Sequence, residues 1–188
     1  MTTTLYIKNM VCDRCKTAVD NILRSQGLHP VCVELGEVKI EDELRDTKRN
    51  EIRKELESIG FELLDDKREQ TIELIKSAII RMIHYRNNNS TLNISDYVSG
   101  ELQQDYSMLS KLFSEVEGKT IEHFHIEQRV ERVKELIKYD ELSLTQIALK
   151  MNYSSVAYLS NQFKNITGMT PTEFKAIKRN MRIDLDKI

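Results

Sequence analysis

The chain has 188 residues, 40% of them hydrophobic and 31% charged, with a net charge of −2, a composition that suits one large or two small soluble domains. No apolar run approaches the ~20 residues that a membrane helix needs. The start, MTTTLYIKNM, lacks the basic and then apolar layout of a secretion signal, so a cytoplasmic protein with reduced cysteines is expected.

The first elements follow from periodicity. Alternation in TLYIKNMV predicts a strand with Leu5 and Ile7 on one face. Cys12-Asp13-Arg14-Cys15 reads as a loop. Ala18, Val19, Ile22 and Leu23 predict a helix that stops at Gly27. Val31, Val33 and Leu35 alternate, Gly36 turns, and Val38 and Ile40 alternate again, which predicts a hairpin. Cys32, between inward-facing Val31 and Val33, is expected on the opposite face as a bystander. Ile52, Leu56 and Ile59 predict a second helix ending at Gly60, and Phe61, Leu63 and Leu64 a last strand. The order is βαββαβ, the ferredoxin-like arrangement.

Met10, Cys12 and Cys15 match the pattern Met-x-Cys-x-x-Cys directly after the first strand. On these residues and the element order, residues 3–65 resemble a heavy-metal-associated domain, with Asn9 where that family usually has Gly. Two thiolates three positions apart at the top of a helix can clasp one soft cation, Cu(I) or Zn(II), and the helix N-terminus favours the thiolate. A loop that carries its cysteines without a ligand, a disulfide and reversible redox chemistry stay open beside metal binding. A thioredoxin-like site is disfavoured by the strand order and by the missing aromatic and Pro context.

Residues 67–86 predict a long helix whose stripe of Ile72, Ile75, Ile79, Met82 and Ile83 is core packing. It is either the first helix of a second domain or a rod joining two domains. Asn87-Asn88-Asn89-Ser90 reads as a loop.

The stretch LSLTQIALKMNYSSVAYLSNQFKNITGMTPTEF, residues 142–174, predicts a helix, a tight turn, a second helix, a stop and a third helix. Leu144, Ile147, Ala148 and Met151 hold helical spacing. Asn152 tolerates the left-handed conformation of a sharp helix end, and Ser154 and Ser155 are candidate caps. Gly168 ends the second helix, and Thr170-Pro171 opens the next. Such a unit is a helix-turn-helix, whose second helix can enter a DNA major groove. The pattern occurs twice. Leu109, Ser110, Phe113, Gly118, Thr120 and Phe124 return as Leu159, Ser160, Phe163, Gly168, Thr170 and Phe174, at a constant offset of 50, and Leu92 pairs with Leu142. Thr120 is expected to cap a long central helix reaching about Lys138. Its Ile121, Phe124, Val130, Val133, Leu136 and Ile137 would pack against both units, with His123 and His125 as surface or packing residues.

The ordered run Arg129, Glu135-Leu136-Ile137, Leu144-Thr145-Gln146-Ile147-Ala148, Ala157 through Lys164 and Gly168-Met169-Thr170-Pro171 resembles the DNA-binding domain of the AraC family of bacterial transcription regulators. The resemblance covers Leu92 to about Arg179. Asn152-Tyr153 stands where the family has Gly-Phe, Val133 where it has Ala, and Val98 in the first copy where the second has Ala148. The resemblance implies a non-enzymatic regulator that binds double-stranded DNA and acts with RNA polymerase. It places DNA contacts at about Ser107, Ser110, Lys111 and Ser114 in the first copy, and at Val156, Ala157, Ser160, Asn161 and Lys164 in the second. Charge agrees locally. Residues 150–182 hold Lys150, Lys164, Lys175, Lys178, Arg179 and Arg182 against Glu173 alone.

The expected organisation is an α+β ferredoxin-like domain over 1–65, a connecting helix and loop over 66–90, and an all-α domain with two helix-turn-helix units over 91–188. The competing reading is a metal-trafficking protein whose helical part is a docking platform. No Ser-His-Asp order, phosphate-binding Gly loop or paired carboxylates mark an enzyme.

Overall fold

The computed structural model describes residues 2–85 and 93–176. Packing divides the chain into two compact units, Met1–Ser77 and Ala78–Ile188. The expected loop at Asn87–Ser90, Leu92 at the front of the repeat, and the basic residues Lys178, Arg179 and Arg182 lie outside the described residues.

The first unit contains β1 (Thr3–Lys8), α1 (Asp13–Ser25), β2 (Pro30–Glu34), β3 (Glu37–Ile40), α2 (Asp46–Ser58) and β4 (Glu62–Leu64). The strands form one four-stranded sheet in the order β2-β3-β1-β4, with every neighbouring pair antiparallel. Period-two alternation turns Leu5 and Ile7 of β1 and Val38 and Ile40 of β3 inward, where they are fully buried with Val19 and Leu23 of α1 and Ile52 and Leu56 of α2. A two-residue turn, Leu35-Gly36, joins β2 to β3, and Gly36 supplies its left-handed residue at φ 76°.

Three details depart from the sequence reading. Val31 is 60% exposed rather than inward, because the β2–β3 register shifts between Pro30 and Cys32 and the extra residue breaks the alternation. Cys32 itself is exposed, as expected, opposite Lys39. Ile59 is exposed because it is the C-terminal cap of α2, past the last buried turn. Finally, Cys12-Asp13-Arg14-Cys15 is not a free loop. Cys12 is the N-terminal cap of α1, and Cys15 lies in its first turn.

A long helix, α3 (Lys67–His84), follows and contains the division between the units. Its predicted apolar stripe is buried throughout. The second unit continues with α4 (Ile94–Leu102), α5 (Tyr106–Glu117), α6 (Ile121–Tyr139), α7 (Leu144–Lys150), α8 (Val156–Thr167) and α9 (Pro171–Ala176). The 19-residue α6 packs against α5, α7, α8 and α9 and is buried along most of its length. Even Gln128, Glu131 and Lys134 are inside, and Lys134 donates to Glu131. At the end of α3, Arg81 donates to Glu101 of α4 at 3.3 Å.

The Gly36 turn is tight. A Cβ there would stand 2.6 Å from Ser77 Oγ, a buried hydroxyl, and 3.3 Å from Glu73 Cγ, both on α3. Gly36→Ala adds this clash to the strain of a left-handed non-glycine residue. It should lower stability by about 1–3 kcal/mol in urea unfolding.

Candidate nucleic-acid interface

The second unit builds the same local structure twice, and each part has a physical cause. The first helix of each pair is capped at matched positions. Asn93 accepts from Asp96 N at 2.8 Å, and Ser143 forms a full capping box with Gln146. Each first helix ends at a left-handed residue, Gln103 at φ 53° and Asn152 at φ 51°. Asn152 thus does the work of the expected glycine, since its short polar side chain tolerates that conformation. The second helices are both 12 residues long and start at Tyr106 and Val156, capped by Asp105 and Ser155. Gly118 and Gly168, at φ 68° and 79°, end them. Phe113 meets Phe124 with ring centroids 5.7 Å apart, and Phe163 meets Phe174 at 5.5 Å. Leu109 and Leu159 fill the same place in each core and are fully buried.

The two turns are not identical. α4 has nine residues and α7 seven, and the left-handed residue stands three positions before α5 but four before α8. The first turn is therefore shorter, although the second helices keep the 50-residue offset.

Arg129 of α6 fixes the second turn. Its guanidinium donates to the Met151 carbonyl at 2.6 Å and lies 4.0 Å from the centre of the Tyr153 ring. Tyr153, where a Phe was expected, also donates its hydroxyl to Gln162 Oε1 of α8 at 2.7 Å. The extra polar atom of Tyr is satisfied. In the first pair, the Tyr106 hydroxyl donates to Glu122 of α6. That bond holds the Glu122 carboxyl below its usual range, and burial together with the same bond pushes the Tyr106 phenol up.

With Leu159 and Phe163 pointing inward, the exposed side of α8 carries Ala157, Tyr158, Asn161, Lys164 and Asn165. Val156 and Ser160 flank it, half-buried. On α5 the exposed residues are Ser107, Met108, Lys111, Glu115 and Val116, with Ser110 and Ser114 half-buried. The Ser107 hydroxyl and the Ser107 and Met108 amides all donate to the Asp105 cap. The sequence reading did not single out Met108 and Tyr158, which are 66% and 52% exposed. The offset was the available signal, because both stand one position before the buried leucine.

His125, half-buried on α6, has no hydrogen-bond partner at Nε2. Burial, aided by the Arg129 cation, pushes its imidazole down to about 4. His123 is more exposed and stands 3.2 Å from Glu127.

In the first unit, Cys12 and Cys15 are half-buried with their sulfurs 3.3 Å apart. Burial raises the Cys15 thiol, against the expectation of a thiol lowered by its helix. Among the described residues no group of three or more His, Cys, Asp or Glu side chains could hold a metal ion. No described helix is long and apolar enough to cross a membrane.

Paired helices with capped turns and exposed second helices form two helix-turn-helix units, and residues 99–177 match the helix-turn-helix domain family. The chain is similar to an uncharacterized HTH-type transcriptional regulator of Staphylococcus aureus, 30% identical over 127 residues, covering 55% of this chain and 17% of that protein. It is also similar to the HTH-type transcriptional regulator GadX of Escherichia coli, 35% identical over 78 residues, covering 42% of this chain and 28% of the relative. The chain thus spans well under a third of the length of either. A solved DNA-binding transcriptional dual regulator from Escherichia coli K-12 aligns with 26% identity and a TM-score of 0.47, over 54% of this chain and 89% of that one.

The depressed His125 has a consequence for stability. In the unfolded chain the ring takes up its proton near the ordinary value of about 6.5, but in the folded chain only near 4. Between those values the unfolded state binds more protons, so stability is full above about pH 6.5 and is lost as pH falls toward 4. Urea unfolding should show a clearly lower midpoint at pH 5 than at pH 7, and His125→Gln should reduce that difference.

Proposed function

We propose that residues 91–188 are an AraC-type DNA-binding domain that places α5 and α8 in successive major-groove segments of duplex DNA and so regulates transcription. One observation carries this reading. The caps, buried leucines, phenylalanine pairs and glycine stops recur at one offset, so two second helices of equal length present exposed sides from one scaffold. The helix-turn-helix match and the similarity to regulators support it.

Asn161 has the paired donor and acceptor that match adenine N6 and N7, and Lys111 suits guanine O6 and N7. Val156 and Ala157 suit thymine methyls. Ser110, Ser160 and Lys164 suit phosphates and set register. Ser107 acts first through its bond to Asp105, which orders the start of α5. The proposal puts the protein in the cytoplasm, with RNA polymerase as the machinery it acts upon.

The first unit is read as a ferredoxin-like, heavy-metal-associated type of module, supported by its βαββαβ order and antiparallel β2-β3-β1-β4 sheet. Two sulfurs at 3.3 Å on one helix start make a donor pair for a soft cation. Two sulfur ligands suit Cu(I) better than Zn(II), which takes four in a structural site. If such an ion modulates DNA binding, it must bind the DNA-competent and incompetent states with different affinities.

Selection of bound fragments from random duplex DNA, with and without Cu(I) or Zn(II) under reducing conditions, tests the main reading. Two enriched half-sites about one helical turn apart are expected. Asn161→Ala should weaken the selected site about 10- to 100-fold and relax one A·T position. Lys164→Ala should weaken all sequences alike and reduce the salt slope by about 1. No enrichment under any condition would transfer the assignment to the metal-trafficking reading.

The metal reading has its own test. Cu(I) titrated against a chromophoric chelator should load the chain one to one, and Cys12→Ser or Cys15→Ser should abolish loading. Equal loading of the variants would remove the cysteine pair from any metal role.

A further inference from the structure

We infer that Tyr158 and Met108 are matched apolar reading residues, each meeting the 5-methyl group of a thymine. The inference rests on the DNA-binding reading above and deepens it. Each residue stands at the same place in its helix, one position before the buried leucine, and each is mostly exposed. A single exposed apolar side chain is ordinary, but a pair recurring at one offset on the proposed reading helices of both units calls for a function.

The ring of Tyr158 is also held in place. Its centroid lies 6.0 Å from that of Tyr153 at an interplanar angle of 57°. Tyr153 is in turn fixed by the Arg129 guanidinium on its face and by Gln162 at its hydroxyl. A chain of ring contacts therefore runs from the buried central helix, through the turn, to the exposed side of α8. It supports one edge of an apolar ring beside Asn161 and so lowers the rotamer entropy lost on binding. Beyond the ring, Tyr158 and Asn161 line a cleft of about 350 Å³ to which Ile126 and Ile166 add apolar surface. A thymine methyl is the apolar group that the major groove offers, and it lies next to the donors and acceptors that Asn161 would read. Met108 offers a flexible thioether at the matched place, which adapts to a methyl without a fixed ring.

The test uses the full chain and its selected duplex, with single thymines replaced by deoxyuridine to remove only the methyl group. Wild-type protein should lose about three- to fivefold in affinity at one thymine under each helix, the effect of one buried methyl. Tyr158→Ala and Met108→Ala should each bind more weakly and lose methyl sensitivity at their own position alone. Tyr158→Phe, which keeps the ring, should retain it. Indifference of the wild type to every methyl, with specific binding intact, overturns this inference alone. So does a Tyr158→Phe variant as impaired as Tyr158→Ala, which would assign the hydroxyl to a phosphate. A chain that retains no duplex at all overturns the DNA-binding reading as well.

Discussion

A helix that stops short leaves carbonyl oxygens without partners, and the second helix pair resolves this with a charge. The Arg129 guanidinium donates to the Met151 carbonyl where α7 ends, and its face covers the Tyr153 ring. One side chain of the buried central helix thereby sets where α7 stops and fixes the aromatic residue of the turn. Gln162 continues the chain of contacts into α8. The orientation of the exposed side of α8 depends on this link. The first pair reaches α6 by a different bond, from the Tyr106 hydroxyl to Glu122.

The repeat shows which features a helix pair must keep and which it can vary. Helix starts need an oxygen acceptor, and Asn, Ser and Asp serve in turn at Asn93, Ser143, Ser155 and Asp105. The stops after α5 and α8 need a left-handed residue, and both are glycine. Between the helices of a pair the demand is weaker, since Gln103 and Asn152 both meet it. The exposed sides share little beyond the apolar place held by Met108 and Tyr158. At the 50-residue offset Lys111 corresponds to Asn161, Ser114 to Lys164 and Glu115 to Asn165. Two scaffolds of one design therefore present two different chemical surfaces.

In the first unit the cysteine pair sits where a strand gives way to a helix. Cys12 caps α1 with extended backbone, and its carbonyl accepts from the Cys15 amide at 3.0 Å, so the turn holds both sulfurs on one side. Burial raises the Cys15 thiol.

The sequence by itself determined the order of elements, their caps and stops, and the twofold helix pairs, because these depend on local spacing and on residues with narrow conformational preferences. It also determined the buried stripe of α3, where the apolar period is unbroken, and the apolar positions of α6. Tertiary structure alone decided the rest. Val31 turned outward because a register shift depends on the partner strand. Gln128, Glu131 and Lys134 went inside because α6 is surrounded by four other helices. Tyr158 turned outward although its sequence neighbours are apolar, because Leu159 and Phe163 already fill the inward face and a helix cannot bury every side.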